Sequence, residues 1–228
     1  MHAIPAVDQV LREGLDLPAG VTFLVGENGS GKSTLVEALA TCMGLNAEGG
    51  SRNARHATRV TESPLADALE LVRSGSRPRW GYFLRAETMH GVYTYLESLD
   101  PGPHPTEPLH EMSHGESFLE VLMHSFARPG FYLLDEPEAA LSFTSCLVLL
   151  GVFTDLVGVG AQVVCATHSP LLTALPGATI YEPDGDGLRR LAGRIRPCGP
   201  LAALPHRPQP LPPASDRRAG PALAAAEG

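Results

Sequence analysis

Gly26-Glu27-Asn28-Gly29-Ser30-Gly31-Lys32-Ser33-Thr34 is the stretch that decides how this chain is read. It has the form GxxxxGK[ST]. It follows an apolar run, Val21–Val25 (VTFLV), and opens a helical pattern over Lys32–Met43, which is the context a phosphate loop requires. The glycines let backbone N–H groups turn inward around phosphate oxygens. The helix starting near Lys32 adds the positive end of its dipole. Residues Gly26 to Thr34 are therefore the expected phosphate-binding set. Within it, Lys32 is expected to reach the β- and γ-phosphates and the Ser33 hydroxyl to ligate Mg²⁺. A glycine-rich turn without a ligand is the plain alternative, and the strand–loop–helix context argues against it.

A second apolar strand closes in two carboxylates, Phe131-Tyr-Leu-Leu-Asp-Glu-Pro137. Asp135 at the strand end is placed to hold Mg²⁺ through water. Glu136 is placed to orient and deprotonate an attacking water. Taken alone, the stretch also reads as an Asp-Glu-Pro turn with solvated charges. Gln162–Ala166 (QVVCA) is a third run of the same kind, and Gly81–Leu84 and Thr179–Tyr181 read as further strands. Near-continuous apolar strands fit a sheet buried on both faces. Helical patterns over Lys32–Met43 and Ser142–Val157, with a short turn from Pro170, follow three of them, so the fold class is α/β with a mostly parallel sheet flanked by helices.

The rest of the chain sets bounds. The formal net charge is −8, which argues against a dedicated nucleic-acid binder. Cys42, Cys146, Cys165 and Cys198 show no CxxC spacing, so reduced thiols are expected rather than a zinc site. The first residues lack the basic and apolar regions of a signal peptide, and the longest apolar run, Cys146–Phe153, is too short to span a bilayer. A cytoplasmic protein without membrane insertion is the expectation. A helix is expected over Pro64–Ser74, where Leu65, Leu69 and Val72 recur at helical spacing. Pro101, Pro103, Pro105 and Pro108 mark a stiff surface loop. Residues 1–184 read as one domain. Residues 185–228, dense in Pro, Ala and Arg, read as a disordered tail that buries too little apolar surface to offset ordering entropy.

Both motifs together give the chain its resemblance. It resembles the ABC ATPase superfamily, and more narrowly the compact bacterial AAA-family ATPases that carry an ABC-type core without membrane spans or coiled coil. The likeness runs from about Ile4 to Tyr181. Gly26–Thr34 matches the family's Walker A, and Leu133–Leu141 (LLDEPEAAL) matches Walker B running into the D-loop. Ser113–Ser117 (SHGES) stands where the family has its signature, and Ala166–Pro170 (ATHSP) carries the position of the switch histidine, His168. Phe83–Glu87 (FLRAE) stands at the Q-loop. No glutamine lies between the phosphate loop and the signature, so the resemblance implies Glu87 as the substitute metal ligand. The aromatic residue that stacks on adenine in the family has no clear counterpart, with His2 weighed as a candidate against a frayed terminus.

The resemblance implies a P-loop NTPase of ABC type that binds ATP and Mg²⁺, with Lys32, Glu136 and His168 as its catalytic residues. It also implies a head-to-tail homodimer in which Ser113 and Gly115 of one subunit cover ATP held by the other. Those two residues precede an apolar helical stretch, Phe118–Phe126, and a helix N-terminus is a natural anion site. The alternatives are an ATP-dependent clamp with little turnover, a nucleotide-binding subunit of a transporter, and a small-molecule phosphotransferase. The arginines from Arg52 to Arg85 offer a basic face for nucleic acid, against the plainer reading of a solvated surface. Phe143 and its neighbours offer a face for a protein partner, against core packing.

Overall fold

Alternation along the strands explains the layers. In the strand Gly20–Val25 (β1), Phe23 packs into one apolar cluster and Leu24 into another. In Phe131–Asp135 (β4), Leu134 belongs to the first cluster and Leu133 to the second. Successive side chains of a strand point to opposite faces, so the two clusters lie on the two sides of one sheet. The computed structural model describes residues 4–47, 49–51, 65–72, 78, 80–88, 122, 126, 128–184 and 186–191.

The remaining strands among these are Gly50–Ser51 (β2), Gly81–Arg85 (β3), Gln162–Thr167 (β5), Thr179–Pro183 (β6) and Leu188–Arg190 (β7). They form a seven-stranded sheet in the order β2-β3-β4-β5-β1-β6-β7. The five central strands pair in parallel, and the edge strands β2 and β7 pair antiparallel. The α/β class with a mostly parallel sheet is as the sequence implied.

Helices cover both faces. Helix Lys32–Met43 (α2) and helix Pro5–Glu13 (α1), through Val10, pack with Leu24, Leu133 and Val164. Helix Phe143–Gly158 (α3) buries Cys146, Leu149, Leu150, Phe153 and Leu156 on the opposite face, where the Phe153 ring lies 6.1 Å from that of Phe23. Ser142 caps α3 by accepting a hydrogen bond from Ser145 N at 3.1 Å. A short helix, Pro170–Thr173 (α4), follows β5. Core packing thus accounts for most of the apolar length of α3, while Phe143 at its start is 70% exposed. Of the expected helix Phe118–Phe126, Leu122 and Phe126 are described. Both are buried and joined by a helical bond, Phe126 N to Leu122 O at 2.8 Å.

One expectation is corrected, and two further features go beyond the sequence reading. Of the helix expected over Pro64–Ser74, residues 65–72 are described, and they hold a single 3-10 turn, Ala66–Ala68, after which Leu69 is extended. Leu69 and Leu71 pack on the α2 side and Val72 is 92% exposed, so the segment alternates with period two rather than 3.6. Helix α1 is an element that the sequence reading did not anticipate. The boundary expected at 184/185 falls inside the turn joining β6 to β7, where Asp184 N donates to Gly187 O at 2.7 Å. The sheet therefore continues to Arg190, and Leu191 N still donates to Ile180 O. The proline-rich loop over 101–108 and the chain after Leu191 lie outside the described residues.

Phe153 is fully buried and central to the α3 face. Phe153→Ala is expected to lower stability by about 3–5 kcal/mol, as such truncations do in packed cores. Urea unfolding followed by circular dichroism checks the value, and a loss below about 1 kcal/mol would mean that α3 is not packed as described.

Candidate functional site

Parallel pairing brings the ends of β1, β4 and β5 to one edge of the sheet. The register sets Val25 beside Thr167 and Asp135 beside Ala166. The residues that follow each strand, Gly26, Glu136 and His168, therefore emerge together. Open parallel sheets bind ligands at such a carboxyl edge.

The loop after β1 is shaped by its backbone. Gly31 caps α2 in the left-handed region, with φ 98°. A Cβ at this position would also meet Ile4 Cγ2 at 2.7 Å, so only glycine fits. Glu27, Asn28 and Gly29 are exposed at the tip, while Lys32 is almost wholly buried beneath it. The Lys32 ammonium donates to Gly26 O at 2.8 Å, Glu27 O at 2.7 Å and Ser30 Oγ at 3.4 Å. Burial lowers its pKa, against the opposing pull of Glu136, Asp135 and Glu138. A lysine held inside a glycine-rich loop by carbonyl oxygens can exchange those acceptors for phosphate oxygens, which fits an anionic ligand at this loop. Thr34 continues the first turn of α2.

The Ser33 hydroxyl donates to Asp135 Oδ1 at 2.9 Å, joining the loop to the end of β4. Two hard oxygens meeting beside a phosphate loop suit Mg²⁺. The other Asp135 oxygen faces Arg85 Nε at 3.4 Å, and Arg85 Nη1 reaches Glu37 Oε2 at 3.1 Å. Burial raises the Asp135 pKa even though the Ser33 hydrogen bond and Arg85 favour the ionised form. Glu87 lies in a 3-10 turn, Ala86–Thr88, directly after β3, with its side chain 80% exposed and 4.0 Å from Arg85 Nε.

Glu136 follows with φ 49° and ψ 51°, the one non-glycine residue with positive φ among the described residues. Its amide donates to Ala166 O at 3.0 Å. Its Oε1 lies 3.1 Å from His168 Nε2. A strained conformation at a strand end is a recurring feature of functional sites. His168 also lines a cleft of about 370 Å³ together with Gly26, Glu27, Ser169 and Ile180.

Lys32, Ser33, Asp135, Glu136 and His168 thus share one edge with the glycine-rich loop, and Glu87 borders it through Arg85. Ser113, Gly115 and His2 lie outside the described residues, as do Arg52, Arg55, Arg59, Arg73 and Arg77. Arg85 does not belong to an outward basic face, because it is tied to Glu37 and Asp135. Sequence reasoning missed this pairing, and it missed Glu138, which binds the segment carrying His168. Glu138 stands in the quoted DEPEAAL stretch, but its partners at and just after the end of β5 follow only from sheet order.

A glycine-rich loop leading from a central parallel strand into a helix, with an acid-tipped parallel strand on the far side of β5, defines a P-loop NTPase. The family described as AAA domain matches residues 10–77. Over 182 residues the chain is 32% identical to the cytochrome c biogenesis ATP-binding export protein CcmA of Rhodospirillum rubrum, covering 73% of this chain and 75% of that protein. It is 29% identical to the ribose import ATP-binding protein RbsA 2 of Rubrobacter xylanophilus over 68% of this chain, and spans 35% of that relative's length. The SMC head domain from Thermotoga maritima shares 14% identity, with a TM-score of 0.43, over 78% of this chain and 91% of that one. The chain belongs to the ABC-type ATPase superfamily.

Asp135 carries a pH prediction. Its pKa is raised in the folded protein, so the folded state holds the proton more tightly than the unfolded state does. The resulting cost is absent below the ordinary carboxylate range and complete above the raised value. The Asp135 contribution to stability therefore falls as pH rises through that window. Asp135→Asn is expected to raise the melting temperature of the nucleotide-free protein at neutral pH and to flatten the pH dependence of stability between those limits. Thermal unfolding at several pH values checks both, and a melting temperature lowered at every pH would contradict them.

Proposed function

We propose that this protein binds ATP with Mg²⁺ and hydrolyses it, in a cycle that joins and releases two copies of the chain. The observation that carries this reading is the convergence of Lys32, Ser33, Asp135, Glu136 and His168 at the carboxyl ends of β1, β4 and β5. The similarity to ATP-binding proteins of the same superfamily supports it.

In this reading the backbone of Gly26–Thr34 cradles the phosphates, and Lys32 leaves the carbonyls of Gly26 and Glu27 for phosphate oxygens. Ser33, Asp135 and Glu87 would hold Mg²⁺, with Asp135 acting through water. When bound, the metal supplies positive charge against the polyphosphate. Glu136 orients a water and takes its proton. The water oxygen bonds to the γ-phosphorus, the bond to the β–γ bridging oxygen breaks, and ADP and phosphate leave. His168, 3.1 Å from Glu136, steadies that carboxylate and faces the γ-phosphate. Ser113 and Gly115 of a second copy cover the nucleotide, so closure depends on both chains, and exposed Phe143 lies on the surface available to a partner. Such an ATP-bound and ATP-free pair of states is a two-state switch.

A second reading, favoured by the likeness to ATP-binding proteins of export and import systems, makes this chain the nucleotide-binding subunit of a transporter. No helix among the described residues is long and apolar enough to cross a membrane. In the first reading the protein works in the cytoplasm, so native cell fractions should hold it in the supernatant. Recovery with membranes until salt or detergent wash would favour the second.

Glu136→Gln removes the base and keeps the shape. Phosphate release is expected to fall about 10²–10⁴-fold, while light scattering in Mg-ATP shows a stable dimer. Wild type should release phosphate and return to monomer as ATP is consumed. A mutant that stays monomeric in ATP would contradict the two-copy cycle, and undiminished phosphate release would contradict the role of Glu136.

A further inference from the structure

The pair formed by Glu136 and His168 bridges two separate loops, and something must set their spacing. Glu136 begins the turn after β4, and His168 leaves the end of β5. Between them runs a connection through Glu138. One carboxyl oxygen, Oε1, accepts two hydrogen bonds from the β5 side, from Thr167 Oγ1 at 2.7 Å and from the His168 backbone amide at 2.5 Å. Thr167 Oγ1 in turn accepts from Ser169 N at 3.0 Å. Thr167 is fully buried, so its hydroxyl is fixed. The result is a knot in which one carboxyl oxygen organises three consecutive residues, Thr167, His168 and Ser169.

The other carboxyl oxygen, Oε2, is buried with no hydrogen-bond partner among the described residues. Burying half of a carboxyl group unsatisfied costs free energy, and stability alone would favour an apolar residue there. On the near side, Glu138 lies in the 3-10 turn Pro137–Ala140, which is closed by Ala139 N donating to Glu136 O at 3.0 Å. The backbone of Glu136 is thus tied to the same short turn whose one acidic side chain, Glu138, grips the histidine segment. With Glu136 N bound to Ala166 O, the two loops are fastened on both sides of the Glu136–His168 contact.

We propose that Glu138 is a positioning residue: its Oε1 fastens the Thr167–Ser169 segment to the turn after β4 and thereby fixes the 3.1 Å contact of Glu136 with His168. This rests on the proposed hydrolysis, in which Glu136 and His168 act together. In that reading Glu138 acts through the His168 segment rather than on the reacting atoms. Misplacement of a reacting group by about 1 Å can cost about 100-fold in rate, so a residue of this kind acts mainly on kcat.

The test uses the full chain and two readouts. With selective ¹⁵N-histidine labelling, the His168 amide is assigned by its loss in His168→Ala. Glu138→Ala is expected to move that proton upfield, because its strong acceptor is gone, whereas Glu138→Gln, which keeps an acceptor oxygen, should leave it closer to wild type. In hydrolysis, Glu138→Ala should lower kcat roughly 10- to 100-fold with KM changed far less, and Glu138→Gln should recover most of the loss. In a His168→Ala background, Glu138→Ala should cost no more than about twofold further, since its effect passes through the histidine. Thr167→Val, which removes one of the two bonds to Glu138 together with the acceptor for Ser169 N and keeps the shape, should show the same pattern at smaller size and carries the test if Glu138→Ala fails to fold. An unmoved His168 amide, or an equal loss of kcat with and without His168, would overturn the proposal. Absence of turnover in wild type would instead overturn the proposed hydrolysis, with the amide readout still deciding whether the clamp exists.

Discussion

Strand β5 holds the structure together, because it is hydrogen bonded in parallel to β1 on one side and to β4 on the other. Those two pairings deliver the phosphate loop, the acidic strand end and the histidine to a single edge. Each belongs to a distant part of the chain, and none could meet the others without this strand between them. Its Val163, Val164, Cys165 and Ala166 are wholly buried, so both faces of the sheet must be covered for β5 to stay in place. Helix α2 covers one face and carries Lys32 and Ser33 at its start, while α3 covers the other and follows directly from the Glu136 turn. The elements that complete the core are thus the elements that carry the candidate site.

Charge is concentrated at that edge in a way that stability alone would not select. Lys32 and Asp135 are both buried, and burial disfavours the charged form of each. Hydrogen bonds to carbonyls, to Ser33 and the nearby Arg85 offset part of the cost. Glu136 adds backbone strain, of order 1–3 kcal/mol for such a conformation. Glu138 leaves one oxygen buried and unmatched among the described residues. Four departures from a well-satisfied interior within one cluster support the proposal of a site kept for chemistry, and the proposed exchange of Lys32 from carbonyl to phosphate acceptors draws on that stored cost.

The core strands and α2 were legible because each is a short apolar run bounded by turn residues, and the edges agree closely: Val21–Val25 was expected where Gly20–Val25 is found. The phosphate loop and the acid pair were legible because their spacing is local. Pro64–Ser74 misled because Leu65 and Leu69 satisfy a helical spacing while Leu69 and Leu71 equally satisfy a strand-like one, and packing against α2 chose the extended form. Strand β7 was hidden in a Pro- and Arg-rich context, where a three-residue edge strand leaves no periodic signal. The Arg85–Asp135 and Glu138–His168 connections were illegible for a different reason: they join neighbouring strands, and adjacency is set by sheet order, which composition and spacing do not encode.

The central claim is that the loop from Gly26 to Thr34 receives the phosphates of ATP by releasing Lys32 from its own backbone. A crystal structure with Mg²⁺ and a non-hydrolysable ATP analogue tests it most directly. The account predicts the analogue's phosphates within this loop, the Lys32 ammonium moved from Gly26 O and Glu27 O to phosphate oxygens, and the metal near Ser33 and Asp135. An analogue bound elsewhere, or Lys32 still held at 2.8 and 2.7 Å by those two carbonyls with nucleotide present, would contradict it.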